Sequence, residues 1–167
     1  MKKIVLIDLD RTLIDTNKIH KDRLAIRKKQ FTHKETERAL DKLQISPRYY
    51  NFEGIENFLE QLRRRYILIL FSYGKRPYQM SKLRQSRLGR FFTKTVITSN
   101  LHKKKDLIFF RKKYGEDILL IDDSREVAAT ARALGIKVIR IRRGIKGPVY
   151  YKKLLTKILK SYEVGNR

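Results

Sequence analysis

The sequence contains no cysteine. Disulfides, thiolate metal sites and cysteine nucleophiles are therefore excluded, and nothing points to secretion. Long apolar runs are also missing, and no stretch approaches the length of a membrane-spanning helix. Met1-Lys2-Lys3 followed by aliphatic residues superficially resembles a signal peptide, but Asp8 and Asp10 cut the run short and argue against that reading. The expected setting is cytoplasmic, with no membrane partner. Acidic residues are scarce, 17 against 41 lysines and arginines, for a net charge of +24. A field of that sign favours polyanions such as nucleic acid and phosphorylated ligands. The basic residues are spread over nearly every segment, so a composition-wide bias competes with a nucleic-acid role. Repeats and low-complexity linkers are absent, and 167 residues fit a single domain, 1–167.

What the chain does contain begins at Val5-Leu6-Ile7-Asp8-Leu9-Asp10-Arg11-Thr12-Leu13. An aliphatic run bounded by a polar turn predicts a buried strand. Burying carboxylates is costly unless they are paired or bind metal, so Asp8 and Asp10 are poor candidates for packing residues. Further buried strands are expected at Tyr66–Phe71, Thr95–Thr98, Ile118–Ile121 and Ile136–Ile141. Between them the pattern turns helical. Ile55, Phe58, Leu59 and Leu62 form one stripe. Pro77–Leu88 reads as a helix ended by Gly89. A helix reaching Tyr114 is stopped by Gly115, and Val127, Ala128, Ala131 and Leu134 mark another, ended by Gly135. Tyr151, Leu154, Leu155, Ile158, Leu159 and Tyr162 mark a closing helix. Lys18 to Ile45 reads as two short polar helices, with Thr32-His33-Lys34-Glu35 as a capping box, broken at Ser46-Pro47.

Strands alternating with helices predict an α/β fold, a doubly wound, parallel, five-stranded Rossmann-like sheet. Residues 16–51 exceed a normal crossover and are expected to form a small helical cap inserted after strand 1. In an open parallel sheet the C-terminal strand ends share one edge, where ligands bind. That edge should gather Asp8, Asp10, Ser72, Asp122 and Asp123, with Lys103, Lys104 and Lys105 nearby. This set suits phosphoryl transfer. A carboxylate can be the nucleophile, and a second acid can move the protons. A hydroxyl, backbone N–H groups and a lysine can hold phosphate oxygens. Carboxylates on two strands can hold Mg²⁺.

Asp8-Leu9-Asp10-Arg11-Thr12-Leu13 resembles the first motif of the haloacid dehalogenase (HAD) superfamily, and specifically of its phosphatases. The resemblance implies that Asp8 is the nucleophile and Asp10 the general acid/base. Ser72 looks like the second, phosphate-binding motif, and Ser72-Tyr73-Gly74 with Gln79, Lys82-Leu83 and Leu88 is similar to a longer run found in many members. Asp122-Asp123 looks like the fourth motif. The implied metal ligands are Asp8, Asp122, Asp123 and the backbone carbonyl of Asp10. For the third-motif lysine, Lys103 is in helical phase with Leu107, Phe110 and Tyr114 and is the first choice; Lys105 is the second. The three lysines together could equally form a solvated basic turn. The backbone of Tyr73 is expected to bind phosphate.

Two departures stand out. Arg11 replaces a frequent Gly, and could add charge near the phosphate or point away. Val127 stands where the family often has another acid, leaving open whether the adjacent Glu126 compensates. The resemblance implies a Mg²⁺-dependent phosphomonoester hydrolase acting through an aspartyl-phosphate. A small cap leaves the site open; the resemblance implies that open members act on large substrates, including nucleic-acid ends and phosphoproteins, and that small-cap members also hydrolyse nucleotides and sugar phosphates, with a phosphorylated metabolite or a nucleotide as the default expectation. Two alternatives follow from the charge: a nucleic-acid-end phosphatase, or a basic nucleic-acid-binding module with a relic site.

Overall fold

The computed structural model describes residues 3–27, 35, 48–142 and 146–163. Five parallel strands form one sheet: β1 Ile4–Ile7, β2 Ile67–Tyr73, β3 Lys94–Thr98, β4 Ile118–Asp122 and β5 Lys137–Arg140. Their order is β3-β2-β1-β4-β5. The chain builds outward from β1 on one side, then crosses back to build outward on the other. The strand order therefore reverses between β1 and β4, where an α/β sheet opens its ligand crevice. The doubly wound α/β expectation holds. Among the described residues, six helices accompany the sheet: α1 Thr16–Arg27, α2 Ile55–Arg63, α3 Arg76–Ser86, α4 Lys104–Tyr114, α5 Arg125–Ala133 and α6 Pro148–Glu163.

Both sheet faces are covered, which is why β1 reads as an unbroken aliphatic run rather than an alternating one. Side chains alternate across a strand. Val5 and Ile7 therefore join Leu68, Leu70, Phe58, Leu62, Leu83, Tyr151 and Ile158 in one core. Ile4 and Leu6 join Ile69, Phe71, Leu107, Phe110, Val127 and Ala131 in the other. Each fully buried aliphatic side chain contributes roughly 1.5–3 kcal/mol. The same parity carries past the strand ends: Asp8 and Asp122 continue the rows of Ile4/Leu6 and Ile118/Leu120, towards the α4–α5 layer.

The strands run a little differently from the sequence expectation. β2 extends through Ser72 and Tyr73 because β3 pairs with it as far as Tyr73↔Thr98. The expected helix to Leu88 stops at Ser86, where Arg87 turns left-handed (φ 55°), and Gly89 lies inside a 3₁₀ turn, Leu88–Phe91. A left-handed residue cannot continue the hydrogen-bond ladder, so the stop comes before the glycine. Of the segment expected to form the cap, α1 is described and hangs on the core through buried Ile19 and the Tyr50 hydroxyl, which donates to Asp22 at 3.0 Å. The capping box at Thr32, the second short helix and the Ser46-Pro47 break lie outside the described residues, apart from Glu35. Among the described residues, no helix is long and apolar enough to cross a membrane.

Candidate active site

Asp8 follows β1 directly, and its N–H still bonds the Ile121 carbonyl at 2.9 Å, so its backbone is held as firmly as the sheet. Its carboxylate is buried and meets Lys103, whose Nζ lies 2.7 Å from Oδ1. The same ammonium donates to Asp122 Oδ2 at 2.8 Å and to the Phe71 carbonyl at 2.7 Å. One buried cation thus ties the ends of β1, β2 and β4 together. Lys103 is the lysine the geometry selects; Lys104 and Lys105 open α4 and are exposed. Burial, the largest influence, pushes Asp8 up to about 7 against the pull of Lys103, with Asp122 and Asp10 adding to the rise. Burial by itself would lower Lys103, but Asp8 and Asp122 together hold the ammonium above its ordinary range.

Asp123, the residue after β4, is buried beside Asp122, and Arg11 Nε approaches its Oδ2 at 3.2 Å. Arg11 therefore points into the site. Its backbone is left-handed, φ 57°, a conformation that glycine adopts freely and that costs other residues roughly 1–2 kcal/mol. Lys146 Nζ closes the turn from outside, donating to the Arg11 carbonyl at 2.5 Å and lying 4.0 Å from the centre of the Phe52 ring. Desolvation lowers the Lys146 pKa despite Asp123 and Asp15.

Asp10 is served from the opposite layer. Lys82 Nζ lies 2.6 Å from Oδ1, Gln79 Nε2 2.7 Å from Oδ2, and the Thr16 hydroxyl 2.8 Å from Oδ1. Burial pushes Asp10 up, but the Lys82 charge and these three hydrogen bonds together hold it below the ordinary carboxylate range. The two acids of the motif thus differ in character: Asp8 is deeply buried and shares its cation, while Asp10 has its own. Ser72 lies at the same edge; its hydroxyl is buried and, among the described residues, has no hydrogen-bond partner.

Carboxylate oxygens of Asp8, Asp122 and Asp123 lie within 4.8 Å of one another. All are hard oxygen donors, the set a divalent Mg²⁺-like cation takes. The Asp10 carboxylate is outside this cluster, leaving only its backbone carbonyl for the ligand role that the resemblance implies. Glu126 does not compensate for Val127: its exposed carboxylate accepts from the Ser124 hydroxyl at 2.8 Å, and Val127 is in the core. Asp122 and Asp123 both face Asp8 instead.

Residues 3–164 match the family model of NLI interacting factor-like phosphatases. The chain belongs to that family. Membership agrees with the fold, which is HAD-like. A haloacid dehalogenase-like hydrolase from Xanthomonas campestris superposes with TM-score 0.68 at 14% identity, covering 99% of both chains. The HAD hydrolase YfnB from Bacillus subtilis, solved with magnesium, gives 0.63 at 16%, covering 84% of this chain and 86% of that one. A haloacid dehalogenase-like protein from Streptococcus pneumoniae gives 0.65 at 17%, covering 96% and 98%. No curated protein matches in sequence.

Within this family member, Asp8, Asp10, Ser72, Lys103, Asp122 and Asp123 meet at one edge, and Tyr73 stands beside them with its ring exposed. Lys105 does not join. Sequence reasoning missed the contacts of Lys82 and Gln79 with Asp10, although both residues belong to the run that resembles the family. It missed Lys146 altogether, and nothing separates Lys146 in sequence from its many basic neighbours.

Proposed function

We propose that the protein is a Mg²⁺-dependent phosphomonoester hydrolase working through an aspartyl-phosphate on Asp8, with a phosphorylated metabolite or a nucleotide as substrate. The observation that carries this reading is the buried Asp8 carboxylate, gripped by Lys103 and grouped with Asp122 and Asp123 at the reversal point of the sheet. The Asp8, Asp122 and Asp123 carboxylates and the Asp10 carbonyl would hold the metal, which would supply charge neutralisation for the phosphoryl group.

The chain's own residues do the rest. Ser72 Oγ and Lys103 hold phosphoryl oxygens. An Asp8 oxygen attacks phosphorus, the ester P–O bond breaks, and Asp10 gives its proton to the departing oxygen. A phosphate dianion arriving beside Asp10 raises its proton affinity, so the acid is charged with its proton as substrate binds. In the second half Asp10 takes a proton from water, which attacks the aspartyl-phosphate and releases phosphate and Asp8. The intact set of Asp8, Asp10, Ser72, Lys103, Asp122 and Asp123 speaks against a relic site.

The test is turnover of sugar phosphates, nucleotides and p-nitrophenyl phosphate with Mg²⁺, compared with Asp10→Asn. The substitution should lower kcat by about 10²–10⁴-fold; near-normal activity in that variant would overturn the acid/base assignment.

Lys82 and Gln79 are positioning residues for Asp10 on this reading. Lys82→Met should lower kcat/KM about tenfold or more on an alkyl phosphate, whose leaving oxygen needs a proton. On p-nitrophenyl phosphate, whose leaving group departs as an anion, the loss should be much smaller. Equal losses on both substrates would reduce Lys82 to a structural contact.

Metal binding should depend on pH through Asp8. Its folded pKa, about 7, lies above its ordinary 3.8. Between those values the folded, metal-free protein holds a proton that the unfolded chain has lost, so this group's stabilisation is lost as pH rises through that window. Mg²⁺ needs the ionised carboxylate. Below pH 7 it must displace the proton, and its affinity falls by up to about tenfold per pH unit. The Mg²⁺-induced rise in Tm should therefore be larger at pH 8 than at pH 5.5. Equal rises would remove Asp8 from the ligand set.

A further inference from the structure

The β2–α3 connection with its flanking residues, from the last residue of β2 to the first turn of α3, reads Tyr73-Gly74-Lys75-Arg76-Pro77-Tyr78, two aromatics and two cations with no acid among them. Tyr73 is 46% exposed and Tyr78 36%, and Lys75 and Arg76 are exposed as well. Some surface arginines are paired with an acid: Arg48 and Arg90 with Glu56, Arg63 with Glu60, Arg111 with Glu116. Lys75 and Arg76 have no ion-pair partner among the described residues.

This loop is built rather than loose. Gly74 donates to the Thr98 carbonyl at 2.9 Å. The Gln79 amide nitrogen reaches the Tyr73 carbonyl at 2.6 Å and Asp10 Oδ2 at 2.7 Å, so one side chain fixes both the loop and the second acid of the site. Gly74 has φ 143°, and a Cβ there would come within 2.9 Å of that same nitrogen. The backbone presenting the Tyr73 ring is thus tied to Asp10 through a single amide.

Because the sheet order is β3-β2-β1, the loops after these strands lie side by side. The reacting phosphate belongs at β1. Next outward comes the basic–aromatic loop, and beyond it the loop after β3, with exposed Leu101 (62%), His102 and Lys104. Exposed cations and tyrosine rings beside the site suit a ligand that carries both phosphates and flat rings. Single-stranded nucleic acid has that chemistry: bases stack on aromatic side chains and the backbone follows basic residues. A phosphopeptide would need acidic side chains beside its phosphate to use these cations, whereas nucleic acid carries a phosphate at every residue.

Resting on the phosphatase reading above, we propose that the substrate is a terminal phosphomonoester of single-stranded nucleic acid, with its end nucleotide stacked on Tyr73 and its backbone crossing Lys75 and Arg76 towards Lys104.

The experiment compares kcat/KM of the full chain with Mg²⁺ on oligonucleotides of about ten residues, a length within common single-strand site sizes, phosphorylated at the 5′ or the 3′ end. The matching mononucleotides, a phosphoserine peptide and p-nitrophenyl phosphate are measured alongside. One of the two oligonucleotides should be preferred to its mononucleotide about tenfold or more at low salt, and the preference should shrink steeply as salt rises. In the Lys75→Glu/Arg76→Glu variant the ratio should collapse towards one; should that variant not fold, Lys75→Gln/Arg76→Gln is read in its place. Turnover of p-nitrophenyl phosphate with no oligonucleotide preference, or with the phosphopeptide preferred, overturns the nucleic-acid proposal and leaves the phosphatase reading standing. No turnover of any phosphoester sinks both.

Discussion

Asp8→Asn should abolish turnover, by about 10⁴-fold or more, as loss of a nucleophile that acts as one unit with its partners does. The fold should survive, and in metal-free buffer above pH 7 the variant should melt higher than the wild type. The reason is the direction of the Asp8 shift. Burial raises its pKa to about 7, so above that pH the ionised group works against the folded state. Asparagine has nearly the same shape, can still accept from Lys103, and carries no charge to desolvate. Lys103 keeps Asp122 as its counter-ion at 2.8 Å. Thermal melts in EDTA at pH 8 and turnover with Mg²⁺ measure the two effects separately. Activity within tenfold of wild type would remove Asp8 from the nucleophile role. A lower Tm would mean that its charge stabilises the protein.

The second large effect is expected at Lys103. Its ammonium is bonded to both Asp8 and Asp122, and it also satisfies the Phe71 carbonyl. Lys103→Met fills the space but leaves two buried carboxylates facing each other. Removing one partner of a buried ionic group costs about 3–5 kcal/mol, a fall in Tm of roughly 10 °C or more for a chain of this size. Turnover should be lost together with stability. Combining Lys103→Met with Asp8→Asn should recover part of the stability, because one of the two stranded charges is gone and the residues are in contact. Urea denaturation of the two single variants and the double variant gives the coupling. A double-variant stability equal to the sum of the two single-variant changes, whatever their signs, would show that Lys103 and Asp8 do not depend on each other in the folded protein.

From the sequence, helical phase puts Lys103 on one face with Leu107, Phe110 and Tyr114. In the structure it precedes α4, in a left-handed conformation with φ 58°. That turn drops its side chain under the helix, into the layer between sheet and helices. Lys105 lies one step into the helix and faces solvent. Of the three lysines, Lys103 is the one that meets Asp8 and Asp122.

The sequence leaves open where Arg11 points, since its slot tolerates many residues. The left-handed backbone explains the frequent glycine there, and the approach to Asp123 shows where the arginine goes. Neither is visible locally. The same holds for Lys82. Its place in a familiar run is legible, but its contact with Asp10 depends on how α3 returns across the sheet.

The sequence by itself determined the α/β alternation and the strands whose ends carry Asp8, Ser72 and Asp122. Aliphatic runs closed by polar turns must be buried strands, and parallel strands put those turns on one edge. Only the tertiary structure decided which cation serves which acid. Lys103 serves Asp8 and Asp122 from one layer, while Lys82 serves Asp10 from the other. Those pairings span 95 and 72 residues of chain, and they are set by the packing of helices on opposite faces of the sheet, which no local pattern encodes.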